Sequence, residues 1–191
     1  MSVSSRNLLL LLVCAASIGL GATAVGDNAA PQELNFEYDV VCTPSLQSPP
    51  PPTSVAAIRD LVGASSSCVG NWMSNGLFVD DGEATMREML IASAPPNAAN
   101  RCGVVFARIT LHGDKGDIFI EENSRLVCPP EFFGLFGTFK SSFNITGGTG
   151  DYSNLIGRGK GGGTFTVNFV PPSSVQIVVH DELEGRASFV N

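Results

Sequence analysis

Leu34 to Val41 alternates strictly, with Leu34, Phe36, Tyr38 and Val40 on one side and Asn35, Glu37 and Asp39 on the other. A period of two over this length predicts a half-buried strand. The period returns in Thr138 to Thr146, where Phe139, Phe143 and Ile145 oppose Thr138, Lys140, Ser142 and Asn144. Gly163 to Phe169 and Val175 to Val179 read as a hairpin about Pro171-Pro172, with Phe165, Val167 and Phe169 matching Val179, Ile177 and Val175. A closing strand is expected over Gly185 to Val190. Leu77-Phe78-Val79 reads as a strand entering a turn at Asp80-Asp81-Gly82. Glu83 to Ala92 suits either period, since Met86-Arg87-Glu88-Met89-Leu90 would also make a helix; strand is preferred.

The clearest hairpin is Val104 to Val127, folded about Gly113-Asp114-Lys115-Gly116. If His112 faces Asp117, Leu111 meets Ile118 and Ile109 meets Ile120 on one apolar face. The other face pairs Thr110 with Phe119 and Arg108 with Glu121, a cross-strand ion pair. That register sets Cys102 beside Val127, one residue short of Cys128. A single bulge near the strand end would bring Cys102 and Cys128 together, leaving Cys42 for Cys68. About eight or nine strands joined by short turns predict an all-β antiparallel barrel or sandwich, and barrel closure would remove the exposed edges.

Two segments do not fit the strand pattern. Ser48-Pro49-Pro50-Pro51-Pro52-Thr53 reads as a stiff connector, because proline cannot donate to a ladder. Residues 54–62 suit a short helix, capped by Ser54 and stopped by Gly63, with Val55, Ile58 and Val62 on one face. Ala64-Ser65-Ser66-Ser67 is expected to be a loop leading to Cys68.

The first residues change the compartment. Arg6 precedes an unbroken apolar run from Leu8 to Ala16, and Ala22-Thr23-Ala24 fits a small-x-small cleavage pattern. This is the layout of a secretory signal peptide over residues 1–24. The run is too short for the roughly 20 apolar residues that span a bilayer. Cleavage after Ala24 would leave 167 of the 191 residues, with a flexible start at 25–33 and one barrel domain over 34–191. It would also remove Arg6 and Cys14, moving the net charge from −7 to −8 and leaving four cysteines, an even set. An oxidising compartment then favours two disulfides. No CxxC unit occurs and no histidine lies at ligand spacing, so zinc is not expected. An acidic surface repels phosphate backbones, which argues against nucleic acid.

Gly147-Gly148-Thr149-Gly150-Asp151-Tyr152-Ser153-Asn154-Leu155-Ile156-Gly157-Arg158-Gly159 is the most distinctive stretch. It resembles the glycine signature of the dirigent and allene oxide cyclase superfamily. Gly113-Asp114-Lys115-Gly116 and the closing Leu183-Glu184-Gly185 are similar to secreted barrels of the same kind. The resemblance covers roughly Leu77 to the C-terminus and is carried by the glycine motif. It implies an eight-stranded antiparallel barrel with a central cavity, often trimeric, in which enzymes guide a reactive intermediate by cavity shape. Only the glycine motif matches, and it is not the catalytic part of those families. Its residues Gly147, Gly148, Gly150, Tyr152 and Gly157 are expected to build a sharp corner, with Tyr152 and Leu155 packed beneath it.

Candidate chemistry is sparse. Arg108 and Glu121 share their face with Phe106 and Phe119, which would make a ligand pocket if that face lines the barrel. Facing water, the same pair would be surface decoration. His112 and His180 have no nucleophile partner, and no G-x-S-x-G occurs. Asp80-Asp81-Gly82-Glu83 lacks the spacing of a calcium loop. Asn144-Ile145-Thr146 is the only glycosylation sequon. The expected function is therefore an exported barrel that binds a small, largely apolar ligand or a partner surface without catalysis and without a cofactor. A cofactor-free cyclase- or dirigent-like enzyme and an extracellular matrix component are the alternatives. A homo-oligomer, dimer or trimer, is expected, and no membrane span after processing.

Overall fold

The computed structural model describes residues 30–44, 63–93, 101–128, 136–170 and 174–190. The segments expected as a signal peptide, a proline connector, a helix over 54–62 and a turn at Pro171-Pro172 lie outside these residues. Eight strands are ordered β1 (Gln32–Pro44), β2 (Ser65–Gly76), β3 (Asp80–Ser93), β4 (Arg101–Gly113), β5 (Gly116–Val127), β6 (Phe136–Gly148), β7 (Leu155–Val170) and β8 (Ser174–Phe189). Each pairs antiparallel with the next, and β8 pairs with β1 to close the barrel. Alternation decides the faces: Leu34, Phe36, Tyr38, Val40 and Cys42 of β1 are all buried, and Phe139, Ser141, Phe143 and Ile145 of β6 likewise.

The β4–β5 register matches expectation, with His112 facing Asp117, Ile109 facing Ile120 and Arg108 facing Glu121. The register shifts between Arg101 and Gly103, and Cys102 and Cys128 are bonded. Cys42 and Cys68 sit directly opposite each other on β1 and β2 and form the second disulfide. Phe165, Val167 and Phe169 meet Val179, Ile177 and Val175 as expected.

Several expectations change and one holds. Ser65 to Ser67 begin β2 rather than forming a loop, and β1 starts at Gln32. Leu77 to Val79 link β2 to β3, while Asp80-Asp81-Gly82 opens β3. The preference for strand over Glu83 to Ala92 holds, because Ala84 and Met86 alternate into the core. Val175–Val179 and Gly185–Phe189 belong to one strand, β8, since His180-Asp181-Glu182 continues the alternation with Asp181 inward, and Val190 lies just past its end.

The two ends of the barrel differ. At the end with the short turns, the 3-10 turn Gly150–Tyr152 folds over the opening. Tyr152 Oη donates to Asp80 Oδ2 at 2.5 Å, its ring lies 4.8 Å from that of Phe78, and Trp72 Nε1 donates to the His112 carbonyl at 3.0 Å. Gly150 takes φ +55°, and a Cβ there would meet the Lys115 carbonyl at 2.2 Å, so only glycine fits. Tyr152 and Leu155 are buried beneath the turn, so the glycine motif acts as a structural cap. Along β7, Gly159 leaves room for the Phe143 ring, which a Cβ would approach to 2.6 Å. The opposite end carries both disulfides. There the inward positions Leu90, Val105, Leu126, Val167 and Ile177 remain partly exposed.

Candidate functional site inside the barrel

Tyr38 and Asp181 are cross-strand neighbours on β1 and β8, and both point inward. Glu122 lies on β5, half-way round the barrel, and its side chain crosses the lumen to meet them. Tyr38 Oη lies 2.7 Å from Glu122 Oε2 and 2.5 Å from Asp181 Oδ2. Ser124 Oγ donates to the other oxygen of Glu122. The three central residues are nearly sealed, Tyr38 and Glu122 being 2% exposed and Asp181 0%. They form a polar strut between opposite walls.

Proton counting fixes the direction of these bonds. A phenol carries one hydrogen and cannot donate to two carboxylates at once. One carboxyl must therefore be protonated and donate to Tyr38. Burial, then the nearby Glu122, pushes Asp181 up to about 8, so Asp181 holds the proton at neutral pH. Asp181 then donates to Tyr38, Tyr38 donates to Glu122, and Ser124 donates to Glu122. Burial and the two carboxyls also push the Tyr38 phenol well up. Asp181 Oδ1 is left with no hydrogen bond, as is Ser141 Oγ.

Toward the disulfide end, Ser66 Oγ donates to Glu88 Oε1 at 2.5 Å. Burial raises the Glu88 carboxyl. Glu88, Ala107 and Glu122 are successive rungs across β3, β4 and β5, so the strut and this carboxyl share one wall. Among the described residues, the half of the barrel beyond the strut thus sets a partly exposed apolar rim, here called the mouth, over an acidic floor. Tyr38→Phe should cost about 1–3 kcal/mol, since it leaves buried polar groups without their bridge. Chemical denaturation checks this; a loss below about 0.5 kcal/mol would mean the strut carries no weight.

The sequence-predicted pocket residues lie elsewhere. Arg108 and Glu121 pair at 3.2 Å on the outer face, with side chains 73% and 41% exposed. Arg108 stands 5.6 Å over the Phe106 ring, and Phe119 is an exposed outer residue. The pocket reading of these four is corrected: Ile109 and Ile120 take the interior, and strand alternation turns their neighbours outward. Asn144 is also exposed on the outer face of β6.

His112 bonds Asp117 through Nδ1 at 2.9 Å and contacts Thr85 Oγ1 at 3.1 Å, both beside the turn. His180 Nδ1 lies 2.8 Å from Asp39 Oδ1, and that bond raises the imidazole above its ordinary value. Glu37, Asp39 and His180 bring donor atoms within 4.8 Å on the outer wall, an arrangement their own hydrogen bonding explains. Cys42, Cys68 and Glu88 are equally close, but the two sulfurs are spent in a disulfide.

The comparisons leave the site to speak for itself. No protein-family model, curated protein or solved structure matches this chain. The interior triad joins residues 84 and 143 positions apart, whereas Arg108–Glu121 is an ion pair within one hairpin and so is legible in the sequence. The signal was present: Ile118, Ile120, Glu122 and Ser124 follow one parity, which places Glu122 inward.

Proposed function

We propose that the chain is an exported barrel that binds a small, largely apolar molecule in its disulfide-end half, without catalysis. One observation carries the reading: the inner apolar wall is sealed at the capped end yet partly open at Leu90, Val105, Leu126, Val167 and Ile177. Pockets for small molecules combine such an apolar wall with a few polar groups, here Glu88, Ser66 and Ser124. Export rests on the leader-like residues 1–24 and agrees with two disulfides. Against catalysis, Tyr38, Glu122 and Asp181 bond chiefly to one another and are closed to solvent. Kinship with the dirigent and allene oxide cyclase barrels belongs to this proposal and rests on the glycine cap.

A second reading has its own support. A proton held on Asp181 beside Tyr38 and Glu122 is the equipment of a general acid, and it would suit a cofactor-free cyclase or coupling enzyme.

Native mass spectrometry of the protein secreted by its own host tests both. Expected is a chain beginning at Val25 that carries one small molecule per barrel, released unchanged on denaturation. A barrel that never carries a small molecule would overturn the binding reading. Conversion of the released molecule on re-addition would establish the enzyme instead. The same spectrum reports the oligomer and any glycan on Asn144.

A further inference from the structure

The inner wall is chemically one-sided. Among the described residues, every strand lysine or arginine with an assigned exposure faces outward and is exposed, while Glu88, Glu122 and Asp181 face inward. Three of the interior hydroxyls are already committed. Ser66 gives its hydrogen to Glu88, Ser124 gives its own to Glu122, and Tyr38 bridges Glu122 and Asp181. Among the described residues, what remains without a partner is Asp181 Oδ1, an acceptor, and the Ser141 hydroxyl, which can accept or donate. Asp181 is fully buried and Ser141 nearly so, and buried polar atoms of this kind ordinarily find a partner. Ser141 is the cross-strand neighbour of Ser124, one inward step from Glu122 toward the mouth. The unpartnered Ser141 hydroxyl therefore lies on the path from the apolar rim to the acidic floor.

We infer that the molecule bound in the mouth is an organic amine, its apolar body against Leu90, Val105, Leu126 and Ile177 and its ammonium group on Glu88. This rests on the binding function proposed above and specifies its ligand. An ammonium supplies three donors and a positive charge to a wall whose described charged groups are all carboxyls. A carboxylate or phosphate ligand would bring another anion to a floor with no cation to meet it, and is excluded on the same ground. A neutral alcohol can donate once and gains no charge attraction. Glu88 is the contact residue because it is the only one of the three carboxyls that is partly exposed.

Three probes with one ten-carbon tail test this on the disulfide-intact, full-length mature protein: decylamine, decanol and decanoate, titrated at neutral pH by calorimetry. Decylamine should bind at one site per barrel, at least about 10-fold tighter than decanol. Decanoate should not bind. Glu88→Gln should remove the amine's advantage, so that decylamine and decanol bind alike. Decanol binding with no advantage to the amine would overturn the amine inference and leave the apolar pocket standing. Decanoate binding as tightly as decylamine, or Glu88→Gln without effect on decylamine, would overturn it too. If none of the three binds, the binding function itself fails and the inference falls with it. Val105→Trp, which fills the mouth, should remove decylamine binding. If that variant keeps its fold and still binds decylamine, the amine sits on the acidic outer surface and the inference is wrong.

Discussion

Asp181→Asn should make the barrel more stable than its parent at pH 8 by a few kcal/mol, and the difference should vanish near pH 4. Asp181 has a folded-state pKa of about 8 against an ordinary 3.8. Between those values the folded protein keeps a proton that the unfolded chain has released. Stability therefore falls as pH rises through this window, by up to about 1.4 kcal/mol per pH unit. Above about 8 both states are ionised and the loss is complete. Asparagine does not titrate, and its Nδ2 can donate to Tyr38 where the protonated carboxyl does. Its Oδ1 leaves the same acceptor behind. Glu88 is raised by burial as well, so a shallower slope of the same sign should remain in the variant. Urea melts from pH 4 to pH 9 decide the matter. A parent whose stability is flat between pH 5 and pH 8 would show that Asp181 does not hold its proton.

Replacing Cys42 and Cys68 together by serine should cost about 3.5 kcal/mol on the loop-entropy account. The bond joins residues 26 apart, so it removes appreciable freedom from the unfolded chain. It also ties β1 to β2 next to the Ser66–Glu88 contact at the disulfide end of the barrel. For a domain of this size the melting temperature should drop by roughly 10 °C. Scanning calorimetry of the double variant measures it. Hydrogen exchange should rise at the mouth ends of β1 and β2 and stay low around Trp72 and Tyr152, whose end is sealed without disulfides. A change of less than about 2 °C would mean that the paired strands hold this seam unaided.

Much of the architecture was legible because hydrophobic alternation and cysteine position gave the same answer. The hairpin about Asp114-Lys115 sets Ile109 against Ile120, and the same register nearly aligns Cys102 with Cys128. The errors fell where charge or small residues imitate loops. His180-Asp181-Glu182 looks like a break, yet outward His180 and Glu182 flank an inward Asp181 within one strand. Ser65 to Ser67 look like a linker, yet Ser66 is an inward residue that serves Glu88. Tyr38 was correctly placed on the apolar side of its strand. Its two carboxyl partners come from strands distant in sequence, and alternation alone does not say which inward residues meet across a lumen.

Closure of the barrel has a consequence for when the molecule can form. Consecutive strands make seven of the eight seams, whereas the last joins residues 32–42 to residues 177–187. Long-range pairings of this kind are slow to find because the intervening chain must first be gathered in. The Tyr38–Asp181 bond sits in that last seam. Until β8 has emerged, the growing chain is an open ribbon of hairpins with a tyrosine and a glutamate still hydrated. A ribbon in that state can be threaded through a narrow channel one segment at a time, and the arrival of β8 becomes the step that closes the barrel.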